Sequence, residues 1–266
     1  MSDGKRRKTL FFAFKTKVGQ MELVIEDAKY FKSCVDAIVN LVDEGTFEIS
    51  ADGMTLRTMD PSQIAMVDFS LPRDAFAKLD CDSKRTICVN LVDLNKILAR
   101  SRPQDKLSIK LDEKESRLVL EFKGESKRHF KLPLLESAAS LPREPKIVFD
   151  AVLQVKGGAF KNMLHDAGLL SSHVILQADD GEFVVEAHGD SGELRIETKK
   201  EQLESMKLSG KSRAMFPFEY LDDMTRACPE DTSVALHLKS EAPVKLEYAI
   251  GKAKLVYYLA PRVESV

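Results

Sequence analysis

Along most of the chain apolar and polar residues alternate, and the alternation gives way to a helical spacing in only a few places. Residues 21–25, 46–51, 54–59, 64–71, 86–89, 106–111, 117–122 and 127–132 repeat with period two, as strands do when one face is covered. Phe31, Cys34, Val35, Ile38, Leu41 and Val42 instead recur at steps of three and four. That spacing predicts a helix over 28–42, with Asp27 as its N-cap. A shorter helix is predicted over 91–101. It stops before Arg102-Pro103, because a residue preceding proline disfavours the helical backbone.

The same grammar then returns. Strands are predicted over 147–155, 174–178, 182–187, 194–198, 214–216, 234–238, 244–250 and 254–259. A helix over 157–170 turns Phe160, Met163, Leu164 and Leu169 inward, and another over 218–228 ends at Pro229. Individual features recur at a nearly constant offset. The hairpin turn Asp52-Gly53 is echoed by Asp180-Gly181; Leu94, Ile97 and Arg100 by Leu221, Met224 and Ala227; Glu121-Phe122 by Glu247-Tyr248. An offset held across helices, strands and turns implies two similar domains in tandem. The fold class is α+β: antiparallel sheets with short helices on one face, built twice. Residues 134–145 carry Pro142 and Pro145, follow Pro133, and show no period, which marks an extended linker. The expected organisation is an extension over 1–19, domains over 20–133 and 147–266, and a connector over 134–146.

Composition narrows the function classes. Charged residues make up 31% but nearly balance at a formal −2, so bulk charge predicts solubility without general affinity for nucleic acid. Local segregation exists at the N-terminus, where Lys5, Arg6, Arg7, Lys8, Lys15 and Lys17 oppose only Asp3. This reads either as a basic arm that meets phosphate or as an appended tail. No apolar run approaches the ~18 residues that span a membrane. The first residues also lack a signal-peptide pattern, so the cytosol or nucleus is expected. Cys34, Cys81, Cys88 and Cys228 form no CxxC and read as reduced thiols, with a hairpin able to bring Cys81 and Cys88 together.

Catalytic signatures are missing. There is no P-loop, no H-E-x-x-H and no G-x-S-x-G, and Gly157-Gly158 reads as a helix start. His165-Asp166 are adjacent in a helix and point to different faces, which weakens a hydrolytic triad. Asp222-Asp223 read as a solvated helix face before a cation site. Neither a metal nor a cofactor is expected. A hydrolase on an α+β fold would need convergent catalytic residues that the sequence does not supply.

The ending Leu255-Val256-Tyr257-Tyr258-Leu259-Ala260-Pro261-Arg262-Val263 closely resembles that of the DNA sliding clamps, the proliferating cell nuclear antigen family of archaea and eukaryotes. Leu56-Arg57-Thr58-Met59-Asp60-Pro61-Ser62, Val89-Asn90-Leu91 with Lys96-Ile97-Leu98, and Pro243-Val244-Lys245-Leu246-Glu247-Tyr248 resemble further clamp segments, in order. The resemblance runs from about Met21 to the end and accounts for the repeat and the linker.

It implies a closed ring of three two-domain subunits around duplex DNA, lined by helices, that gives polymerases processivity and docks replication and repair enzymes. Phosphate contacts would hold DNA without reading its sequence. The implied lining residues are Lys29, Lys32, Lys96, Arg100, Lys161, His165 and Arg226, with Lys84 and Arg85 in a loop. The implied pocket for a short partner peptide comprises Met59, Gln63, Ile64, Met66, Leu141, Pro142, Pro243, Tyr258, Ala260 and Pro261. The implied partners are a clamp loader, DNA polymerase, ligase and flap nuclease. Self-assembly is expected through edge strands at Arg117, Leu118, Val119 and Leu120 and at Leu194 and Ile196. Whether the ring is a homotrimer or contains paralogous subunits, as a checkpoint clamp would, stays open. Location follows the host: cytoplasm and nucleoid, or nucleus. One feature departs from the family pattern: the predicted helices sum to only about +1.

Overall fold

The structure, a computed structural model, describes residues 21–136 and 141–262. The basic extension 1–19 and residues 137–140 of the connector lie outside the described residues. The first half runs β1 (Glu22–Ile25), α1 (Ala28–Val39), β2 (Glu44–Ser50), β3 (Gly53–Met59), β4 (Ala65–Pro72), β5 (Lys78–Asp80), β6 (Arg85–Asn90), α2 (Leu91–Leu98), β7 (Lys106–Asp112), β8 (Arg117–Lys123) and β9 (Lys127–Pro133). The second repeats the order: β10 (Ala151–Lys156), α3 (Gly157–Gly168), β11 (His173–Asp179), β12 (Glu182–Gly189), β13 (Gly192–Lys199), β14 (Ser205–Leu208), β15 (Ser212–Pro217), α4 (Phe218–Arg226), β16 (Ser233–Leu238), β17 (Val244–Ile250) and β18 (Ala253–Leu259). Even the 3-10 turns recur, at Arg73–Ala75 and Lys200–Gln202.

Local chemistry explains most elements. The Asp27 side chain accepts the Lys29 amide at 2.9 Å, satisfying one orphan donor of α1, while Ala28, Phe31, Cys34, Val35, Ala37 and Ile38 form its buried stripe. Asn90 caps α2 in the same way through the Asp93 amide at 2.8 Å. Asp180 and Gly181 both take positive φ, 45° and 84°, as a tight hairpin between right-twisted strands requires.

Three sheets result. One has the order β5-β1-β7-β8-β9, one β13-β12-β11-β15, and the third runs through both halves as β14-β10-β16-β17-β18-β4-β3-β2-β6. The join is antiparallel pairing of β18 with β4, from Lys254↔Ser70 to Leu259↔Ala65. A single apolar core underlies both halves. At its centre Tyr257 donates to the Ala37 carbonyl at 2.7 Å, Tyr248 donates to the Met224 carbonyl at 3.0 Å, and the two hydroxyls lie 3.0 Å apart. This pair ties α1 of the first half and α4 of the second to the same strands.

Several expectations are corrected. Helices α1 and α2 end at Val39 and Leu98, earlier than their apolar spacing predicts. Residues 147–150 precede β10, and Val148 is exposed. Leu169 is the C-cap of α3 and is 80% exposed, because the helix has ended before it can turn inward. The strands β5 and β14 are too short to leave a period. Cys81 and Cys88 are both free thiols. The segment predicted as an edge, Arg117, Leu118, Val119 and Leu120, is the middle strand of a meander. It pairs with β7 on one side and β9 on the other, which leaves β9 as the edge.

On the outer face of the long sheet Glu247 receives Lys245 and Lys254, each at 2.8 Å. Burial raises its carboxyl, but those two hydrogen bonds outweigh it and hold the pKa down to about 2. A depressed pKa contributes stability above the unfolded value of 4.5, which is lost as pH falls toward 2. Glu247→Gln is therefore expected to cost ~2 kcal/mol at pH 7. The gap from wild type should narrow progressively below about pH 4.5 in thermal melts. A pH-independent gap would reject this ion-pair origin.

Candidate nucleic-acid and partner interfaces

The four helices lie side by side in the order α2, α1, α4, α3. A polar contact marks each junction: Asn95 Nδ2 to Asp36 Oδ1 at 3.0 Å, Asn40 Nδ2 to the Asp223 carbonyl at 3.4 Å, and His165 Nε2 to Asp222 Oδ1 at 3.1 Å. The row therefore presents one continuous face to solvent. Two clefts open on it, one of about 400 Å³ bordered by Lys161, His165, Asp222 and Arg226, and one of about 290 Å³ between Asp36, Asn40 and Arg226.

Most cations of this face are engaged. Lys32 pairs with Asp36 and Lys96 with Asp93. Lys161 Nζ donates to the Cys228 carbonyl at 2.9 Å. Arg226 is held by Asp222 and Asp223, each at 2.7 Å. Burial pushes the Asp222 carboxyl up, but hydrogen bonds from Arg226 and His165 outweigh it and lower its pKa; burial raises that of Asp223. Among the described residues Lys29, Arg100 and Lys161 are the implied lining cations without an acidic partner, and of these Lys161 is held by the Cys228 carbonyl. Lys84 and Arg85 stand elsewhere. Lys84 pairs with Glu48, whose β2 neighbours Phe47 and Ile49 face the core, so it lies on the outer face of the long sheet. Arg85 reaches Glu113 in the β7–β8 turn. Lys84 lies in the loop before β6 and Arg85 is the first residue of that strand, where periodicity is only beginning, so sequence did not give their side.

Edges form the second feature. The residues after β9 and β18 fold back equivalently: the Leu135 amide donates to the Cys88 carbonyl of β6, and the Arg262 amide to the Met215 carbonyl of β15. Strands β5 and β14 are short. The long edges without a backbone partner among the described residues are β9 and β13. Leu194 and Ile196 of β13 are only partly buried, as expected of core-facing residues with nothing beyond them.

The third feature is on the outer surface, where the halves join. Met59 opposes Met66 and Met66 opposes Tyr258 in adjacent strands, and the Ala260 amide donates to the Ile64 carbonyl at 2.8 Å. The Tyr258 hydroxyl donates to Glu144 of the connector at 2.6 Å, which draws the segment bearing Leu141 and Pro142 toward the sheet. Pro243 enters β17 beside the end of β18. The implied pocket residues thus gather in one region. Met66, Val256 and Tyr258 form an apolar cluster separate from the main core, packed by Phe149. Sequence reading missed Val256 and Phe149; the outward register of Val256 between Tyr257 and Leu255 was the available signal.

Comparison with known proteins agrees. Residues 20–137 match the family described as proliferating cell nuclear antigen, N-terminal domain, and residues 144–263 its C-terminal domain. A protein of Methanococcus vannielii named DNA polymerase sliding clamp is 34% identical over 244 residues, 90% of this chain and 98% of its own. One of the same name from Thermococcus onnurineus is 32% identical over 246 residues, 91% and 98% of the two chains. The solved structure of A. fulgidus PCNA with the C-terminal region of FEN-1 bound superimposes with a TM-score of 0.85 at 28% identity, over 92% of this chain and 100% of that one. Two tandem copies, a shared sheet and a row of helices define the clamp fold. The chain belongs to the proliferating cell nuclear antigen family, the DNA polymerase sliding clamps, which is not a family of enzymes.

Proposed function

We propose that this chain closes, as three copies of itself, into a ring that encircles duplex DNA and docks replication and repair enzymes through the outer-face pocket. The carrying observation is the internal join of β18 to β4. In the repeat β9 corresponds to β18 and β13 to β4, so the partner that each open edge lacks is present in another copy of the same chain. Transferring the internal register places Phe130 opposite Leu194 on the core side, and Lys127 opposite Glu197 and Lys131 opposite Glu193 on the outer side. One chain thus supplies both halves of a complementary edge, which favours a homomeric ring over one of paralogous subunits. A heterologous contact that closes gives a ring, and three is the number the clamp resemblance implies.

The helix row then faces the hole, where backbone phosphates meet it without base readout, so binding is sequence-independent and salt-sensitive. Topology, rather than strong contacts, retains the DNA. The clamp loader, polymerase, ligase and flap nuclease dock by short peptides that bury aliphatic and aromatic anchors over Met66 and Tyr258. The protein acts where the DNA is, in the cytoplasm and nucleoid of an archaeal-type cell or in a nucleus.

Light scattering of the purified protein should give three times the chain mass; a monomer at micromolar concentration would reject the homomeric ring. A synthetic Gln-x-x-aliphatic-x-x-aromatic-aromatic peptide should bind saturably to wild type. Ile64→Asp should weaken it at least tenfold, since it sets a charge in an apolar pocket. Absence of wild-type binding would sink the pocket.

A further inference from the structure

The turn between β3 and β4 is larger than its repeat counterpart. Residues 60–64 span it, whereas only Asp190 and Ser191 join β12 to β13. The larger turn bears Gln63 and Ile64, and its shape is imposed by a buried carboxylate. Asp60 is 3% exposed. Its Oδ1 accepts the Ile64 amide at 2.8 Å and the Ala65 amide at 2.7 Å; its Oδ2 accepts the Ser62 amide at 2.9 Å and the Tyr220 hydroxyl at 3.0 Å. A carboxylate offers about four acceptor positions, and here all are used. Three donors belong to the turn itself. The fourth comes from the first turn of α4, in the other half of the chain. Gln63 takes a φ of 59°, a left-handed conformation that persists only where surrounding bonds determine it.

At the equivalent place in the first half, α2 carries Asp93 instead of a tyrosine. The brace therefore occurs at one of two quasi-equivalent turns, the one bordering the pocket. Packing alone would be served by phenylalanine; only the hydroxyl completes the carboxylate's shell.

We propose that Tyr220 is a positioning residue for partner docking: by bonding Asp60 it locks the turn 60–65 so that Gln63 and Ile64 are presented to the peptide. The helix that faces the hole thus holds the docking turn on the outside. This rests on the pocket reading above, and the test separates the two. Binding of the synthetic peptide would be titrated against wild type, Ile64→Asp, Tyr220→Phe, Asp60→Ala and the double variant Asp60→Ala with Tyr220→Phe. Hydrogen exchange at the Ser62, Ile64 and Ala65 amides would be followed in each. Tyr220→Phe should weaken the peptide about fivefold and speed exchange at those amides, with oligomeric mass unchanged. In the Asp60→Ala background the same change should add nothing, because the shared bond is already gone. Wild-type affinity and unchanged exchange in Tyr220→Phe, with Ile64→Asp still defective, would overturn this proposal and leave the pocket standing. Equal additional loss in the Asp60→Ala background would overturn it as well. Failure of wild type to bind would sink both.

Discussion

Reversing Lys127 and Lys131 to glutamate is expected to convert the proposed ring into monomers. In the transferred register each lysine faces a glutamate of the next copy, Glu197 and Glu193, on the solvent side of an antiparallel pair. Opposite charges at such positions contribute roughly 0.2–1 kcal/mol each, and like charges cost comparable amounts. Two reversals per edge therefore remove about 1–4 kcal/mol from every subunit contact, or roughly fivefold to a thousandfold in association. The backbone ladder and the apolar pair Phe130 and Leu194 are untouched, so the monomer should fold normally. Lys131 also bonds Glu115 of its own chain at 2.6 Å, and Arg195 bonds Glu197 at 2.6 Å, which places the effect toward the lower end for single changes. The decisive arm is compensation. Adding Glu193→Lys and Glu197→Lys to the reversed chain should restore the trimer seen by light scattering, because every contact then pairs opposite charges again. Trimers from the lysine reversal alone, at micromolar concentration, would show that this register is wrong.

What could be read from sequence follows from what leaves a period. Every strand of six or more residues was legible, as were the cap Asp27 and the turns Asp52-Gly53 and Asp180-Gly181, since each needs particular residue types at particular places. The class followed, because the offset between halves survives in turns as well as strands. Which strand lies at an edge was not legible. β8 and β9 alternate equally well, and only pairing shows that Leu118 and Leu120 are flanked on both sides while Phe130 is not. Boundaries failed where apolar residues run past a helix end, as at Leu41, Val42 and Leu169. For the sites, the pocket positions came from resemblance and the structure gathers them, but the fourth donor on Asp60 joins residues 160 apart in sequence, which no local pattern reveals. Lys84 and Arg85 were misplaced for a related reason: a charge in a loop or at the first position of a strand has no legible side until the chain is folded.

The helix row carries the second large expectation, and it distinguishes counting charges from counting available ones. Among the described residues Lys29 and Arg100 face solvent without acidic partners, whereas Arg226 is spent on Asp222 and Asp223. Lys96 is intermediate: its i,i+3 partner Asp93 is exposed, and such pairs are worth little, so a phosphate can displace it. Replacing Lys29 and Arg100 by alanine should therefore weaken duplex binding at least tenfold at about 0.1 M salt. It should also flatten the salt dependence by about 0.9 for each phosphate that the variant no longer neutralises. Asp222→Asn with Asp223→Asn should do the opposite. Freed from both carboxylates, Arg226 becomes available to phosphate, so affinity and salt slope should rise together. Formal charge alone predicts some tightening from losing two acids anywhere on the face; release of Arg226 predicts that the gain vanishes when Arg226→Gln is added. Anisotropy of a labelled duplex across salt concentrations reads all of these. If the asparagine pair tightens binding equally with and without Arg226, the arginine is not the latent contact, and the second half meets DNA only through its field.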